Sequence, residues 1–62
     1  MSANNILKIW NRGDVYVLDE CDAEEGKLIV RVGTFFFLRK AVKEAKKYMK
    51  YNEIEYGLDI QI

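Results

Sequence analysis

The chain has 62 residues, with ten basic and ten acidic side chains, no histidine, no proline and a single cysteine. A chain this short buries only about 60% of its unfolded-state surface, so a deep catalytic cleft is not expected, and one cysteine without imidazole offers neither a disulfide nor a soft metal site to brace the fold. A hydrophobic fraction of 50% with one Trp, four Tyr and three Phe nevertheless excludes a disordered tail.

No linker, repeat or low-complexity stretch divides the sequence, and residues 1–62 read as one small domain. Ile6-Leu7-Lys8-Ile9-Trp10 and Val15-Tyr16-Val17-Leu18 are β-branched and aromatic runs separated by Asn11-Arg12-Gly13-Asp14, which predicts a hairpin. Asp19 to Gly26 reads as a longer, acidic connection. Lys27 to Val32 alternates, with Leu28, Val30 and Val32 on one side, the period of a half-buried strand, until Gly33-Thr34 interrupts it.

From Leu38 the period changes. Leu38, Ala41, Val42, Ala45, Tyr48 and Met49 recur at three- and four-residue steps and predict a helix from Leu38 to Tyr51. It should stop near Asn52, a residue that tolerates the left-handed conformation common after a helix end. Phe36 would fall off the apolar stripe, so Phe35 to Phe37 read as extended chain crossing onto the helix. The closing Ile54, Tyr56, Leu58, Ile60 and Ile62 alternate with Glu55, Gly57, Asp59 and Gln61, a strand pattern.

The expected fold is α+β, a four-stranded mainly antiparallel sheet with one helix on one face in the order β-β-β-α-β. The uncovered face is expected to carry Lys8, Trp10, Tyr16, Ile29, Arg31 and the polar side of the last strand. Trp10, Tyr16 and Ile29 would make an apolar patch to be covered by a homodimer or a partner.

Charge is sorted along the chain. Asp14, Asp19, Glu20, Asp22, Glu24 and Glu25 form a block without a base, and Arg39, Lys40, Lys43, Lys46, Lys47 and Lys50 are opposed only by Glu44. A fold that keeps the blocks apart carries a strong dipole and calls for a charged partner. The helix cations line the side opposite the apolar stripe and forgo the Glu-to-Lys spacing that stabilises solvated helices. They read either as a solubilising face or as a docking face for an acidic protein surface or phosphates.

Asp19, Glu20, Asp22, Glu24 and Glu25 lack the oxygen-ligand spacing of a calcium loop and read as solvated or as docking onto a basic surface. Their neighbourhood should raise the Cys21 pKa and keep the thiol unreactive. Trp10 and Tyr16 flanked by Lys8 and Arg31 would suit single-stranded nucleic acid, with bases stacked on aromatics, although a hairpin-pinning or dimer-interface Trp10 is the plainer reading. Arg12-Gly13-Asp14 is turn chemistry rather than an adhesion signal. With no histidine, one serine in the N-terminal tail (Ser2) and no glycine-rich phosphate loop, no catalytic, cofactor or metal site is assembled.

The first functional expectation is therefore a non-enzymatic protein-binding module acting through its charged surface. Its size and lack of catalytic apparatus suit an inhibitor or adaptor of the kind phages and mobile elements encode against a host protein, for example a nucleic-acid-handling defence complex. The second is a nucleic-acid-binding domain using the basic helix or the Trp10/Tyr16 face; ten carboxylates and zero net charge weigh against it. No apolar run approaches the ~20 residues that cross a bilayer and no signal peptide opens the sequence, so no membrane partner and a cytoplasmic location are expected.

Overall fold

In the computed structural model, which describes residues 4–61, the elements are β1 (Asn5–Arg12), β2 (Val15–Asp22), β3 (Leu28–Phe35), α1 (Leu38–Tyr51) and β4 (Leu58–Gln61). They form one four-stranded sheet in the order β3-β2-β1-β4, antiparallel except for the parallel β1–β4 pair. This is the α+β arrangement read from the sequence, with α1 on one face.

The hairpin closes tighter than the four turn-forming residues imply. Arg12 pairs with Val15, leaving Gly13 and Asp14 as a two-residue connection. Gly13 takes φ +73 and Asp14 does not, the combination whose twist matches the strands it joins and in which a side chain at the first position would be strained. The resulting register pairs Ile9 with Leu18, Leu7 with Glu20, Lys8 with Asp19 and Trp10 with Val17. Paired residues share a face, so Leu7, Ile9, Tyr16, Leu18 and Glu20 point toward α1, while Lys8, Trp10, Val17, Asp19 and Cys21 point away.

Three expectations are corrected here. Tyr16 does not join Trp10 on the open face; it packs against the core under the helix. The strand β2 runs on through Asp22, so Asp19, Glu20, Cys21 and Asp22 are strand residues and the connection shrinks to residues 23–27. There the Asp22 Oδ1 accepts from the amides of Glu24 and Glu25 at 2.8 and 3.0 Å, an Asx turn that makes a long loop unnecessary. The strand β3 carries two register irregularities, which insert Ile29 and Val32 as extra residues and break its alternation. Leu28 and Val30 are consequently 54% and 45% exposed instead of core, and Val32 is the member that packs inward.

Gly33 lies opposite Leu18, and a Cβ there would come within 2.9 Å of the Phe35 ring, which folds back over the glycine. Residues Phe36 and Phe37 then bend onto the helix outside it, Phe37 with an extended backbone (φ −124), as read from the sequence.

The helix packs through the predicted stripe. Ala41 and Ala45 are fully buried against Leu7, Ile9 and Leu18, with Leu38, Val42, Tyr48 and Met49 around them. Small residues at the centre let the helix approach the sheet closely, and each fully buried Leu or Ile contributes about 1.5–3 kcal/mol. No side chain caps the first turn and no acid lies in it, so packing rather than capping holds the helix. At its end Asn52 is extended (φ −132) rather than left-handed; its backbone and side-chain amides both donate to the Tyr48 carbonyl.

The last strand is shorter than its alternation implies. Only Leu58–Gln61 pairs with β1, and Ile54 packs on the core from an irregular segment; Ile62 lies outside the described residues. Asn5 holds that segment, donating to the Glu53 carbonyl at 2.9 Å and accepting from the Glu55 amide at 2.9 Å, while its own carbonyl accepts from Tyr56 N–H at 3.0 Å. No described helix is long and apolar enough to cross a membrane.

Candidate protein-binding surface

Because α1 turns its alanines to the sheet, helical periodicity sends Arg39, Lys40, Lys43, Lys46, Lys47 and Lys50 outward, and all six are exposed. Among the described residues, none of them forms an ion pair within 4 Å. The Arg39 guanidinium lies over the Phe37 ring at 5.3 Å and Lys50 over Tyr51 at 6.0 Å, so two of these cations rest on exposed aromatics. Arg39, Lys40 and Lys43 line a shallow concavity of about 330 Å³ near the helix start.

A second, smaller depression of about 180 Å³ runs between α1 and β3, lined by Val32, Glu44, Lys47, Tyr48, Tyr51 and Asn52. Glu44, the one acid of the helix, faces this side, leaving the outer surface of α1 wholly cationic.

The acidic block does not form a matching surface. Asp19 is only 4% exposed and accepts from Arg31 Nε at 3.0 Å. Glu20 is half-buried and accepts from the Tyr48 hydroxyl at 2.6 Å and from Asn5 Nδ2 at 2.8 Å. Asp22 is occupied with the turn. Glu24 and Glu25 remain exposed at the tip, and Glu25 meets Lys27 at 3.4 Å. Strand placement and not loop placement explains this division, since alternate residues of β2 are driven into the two faces of the sheet. The sequence signal available was the hairpin itself: continuing its pairing past Leu18 brings Asp19 and Glu20 opposite Lys8 and Leu7.

The same geometry fixes Cys21. It is buried on the face away from α1, and burial first, then the Asp19 charge, pushes its thiol above the ordinary value. The direction matches the sequence reading, but burial leads the causes.

On the open face Lys8, Trp10 and Arg12 stand in a row along β1. Lys8 Nζ and the Arg12 guanidinium lie 5.4 and 5.9 Å from the Trp10 ring centre, so its π surface is engaged by cations of its own strand. The indole N–H is buried without a hydrogen-bond partner. Arg31 is drawn to Asp19, and Tyr16 lies on the other side of the sheet, so the paired-aromatic platform expected for nucleic acid is not assembled. Among the described residues no three Cys, Asp or Glu side chains gather as a metal site.

No family model, no curated protein and no solved structure matches the chain.

Proposed function

We propose that this protein is a non-enzymatic binding module that docks the cationic outer face of α1 onto an acidic protein surface, in the manner of a small inhibitor or adaptor. The observation that carries the reading is the contrast between the two charge blocks. Of the acids of β2, Asp19 and Glu20 are consumed by Arg31, Asn5 and Tyr48 and Asp22 by its turn, whereas all six cations of α1 are exposed with no carboxylate partner within 4 Å among the described residues. Like charges at three- and four-residue spacing destabilise a helix by a few tenths of a kcal/mol per pair, a cost that an acidic partner would reverse.

The basic helix suits phosphates as well as carboxylates; on the sheet face Trp10 is engaged by Lys8 and Arg12 and stands without Tyr16, which favours the protein partner. Immobilised wild-type chain and Lys43→Glu/Lys46→Glu/Lys50→Glu, both challenged with host extract, separate the alternatives. The reading expects a protein retained by wild type, resistant to nuclease, released by salt and lost with the triple reversal while circular dichroism is unchanged. Retention that disappears on nuclease treatment overturns it in favour of nucleic acid, and equal retention by both chains reduces the helix to a solvated face.

A further inference from the structure

The outer edge of β3 is an open edge of the sheet. It is eight residues long against four for the opposite edge, β4. Its ladder is to β2 alone, and among the described residues no other backbone hydrogen bond reaches it. Edges are ordinarily blunted by lysine, proline, bulges or a covering loop. Here only the two bulges are present. The single charge, Arg31, is turned back to Asp19, and Leu28, Ile29 and Val30 are all exposed.

What flanks this edge is complementary under reversal. At the start of β3 stand Glu24, the Glu25–Lys27 ion pair and the apolar Leu28 and Ile29, a net acidic end because Glu24 is left without a base; at its end stand Phe36, 74% exposed, Phe37 and the first cations of α1, Arg39 and Lys40. We infer that β3 pairs antiparallel with β3 of a second copy, about a two-fold axis perpendicular to the sheet, joining two four-stranded sheets into one.

In the register that sets Leu28 opposite the partner's Phe35, Leu28 and Ile29 meet the aromatic end of the partner strand, and the turn that carries Glu24 faces the end at which the partner's α1 begins, with Arg39 in its first turn. The two-fold repeats both contacts. An isologous interface requires a patch that matches itself, and an edge that is aliphatic and net acidic at one end and aromatic and basic at the other meets that requirement only in the antiparallel sense. Both helices then lie on the same face of the joined sheet, flanking the seam, and the outer cations Lys43, Lys46 and Lys50 stay free. Arg39 is the one cation used both here and in the surface proposed for α1, so the triple reversal at Lys43, Lys46 and Lys50 tests that surface without touching this pairing.

The test is sedimentation equilibrium of the whole chain from about 1 μM to about 1 mM, where small interfaces dissociate. The mass should rise from 7.3 kDa toward twice that value. Ile29→Lys, at an exposed site, should stay at the monomer mass with its circular dichroism intact. Glu24→Lys and Arg39→Glu should each weaken the dimer about fivefold, as loss of an exposed ion pair does, and the double reversal in one chain should restore it. Amide exchange of the wild type needs no variant: protection of β3 should grow with concentration while that of β2 does not. A monomer at every concentration, a dimer that survives Ile29→Lys, or a double reversal that fails to restore association overturns the inference.

Discussion

The Tyr48 hydroxyl donates to Glu20 Oε1 at 2.6 Å, tying the last turn of α1 to the strand beneath it. The bond to the carboxylate, then burial, then the Glu20 charge raise the phenol to about 12. The folded state therefore holds this proton more tightly than the unfolded chain. Its contribution to stability is complete below the unfolded value near 10 and is lost as pH rises from 10 through about 12. Tyr48→Phe should cost about 1–2 kcal/mol at neutral pH, as a hydrogen bond to a charged group does. The difference in urea midpoint between wild type and variant should vanish between pH 10 and 12; a constant difference would remove Glu20 as the acceptor that matters.

Core substitutions should divide by strand position rather than by residue type. Ile9→Ala or Leu18→Ala, at fully buried sites, should cost about 2–4 kcal/mol, close to the whole stability of so small a fold. Val30→Ala, on the bulged and exposed part of β3, should remain within about 1 kcal/mol of wild type. Thermal unfolding of the three variants reads this directly, and a Val30→Ala melt as low as that of Ile9→Ala would mean that Val30 is packed.

Arg31→Ala should lower the melting temperature more than Lys27→Ala, although both side chains are exposed. The reason lies in their partners: Arg31 is bound to a buried carboxylate, and Lys27 to a solvated one. Asp19→Asn with Arg31→Ala should recover part of the loss, because the buried charge left alone is what destabilises. Equal effects of the two single substitutions would show that Asp19 reaches water without Arg31.

Trp10, the single tryptophan, reports the open face. Flanked by Lys8 and Arg12, it should be quenched more efficiently by iodide than by caesium at low salt, and the difference should collapse above about 0.1 M, where the screening length falls to about 10 Å. Its emission should not change on dilution, because the surface inferred for self-association is β3 and not this face. Emission that shifts with concentration would place Trp10 in an interface.

The helix was legible because a 3.6-residue stripe of Leu38, Ala41, Val42, Ala45, Tyr48 and Met49 has one reading, and its bounds in the sequence and in the structure coincide. The face of β2 was not read from Val15-Tyr16-Val17-Leu18, which is apolar at every position and gives alternation nothing to act on. Turn arithmetic held the answer: any connection of even length between the first two strands sets Trp10 and Tyr16 on opposite sides. The strand character of Asp19 to Asp22 was hidden for a different reason. Acids read as solvent-facing unless their partners are known, and Arg31, Asn5 and Tyr48 arrive from distant parts of the chain. The six helix cations were visible as a set, since exposure on that side follows from the stripe alone.

The central strand β1 has two neighbours of very different origin: β2, joined to it by two residues, and β4, whose approach is anchored by an Asn5 contact spanning 50 positions. Local closure costs little chain entropy and hairpins form in about 1–10 μs, whereas the parallel pair must wait for the helix to return the chain across the sheet. The order of assembly follows. A substitution at the Gly13 turn should slow refolding, while Leu58→Ala should leave the refolding rate nearly unchanged and accelerate unfolding. Stopped-flow rates for the two variants would show β4 as the last strand to arrive and the first to leave.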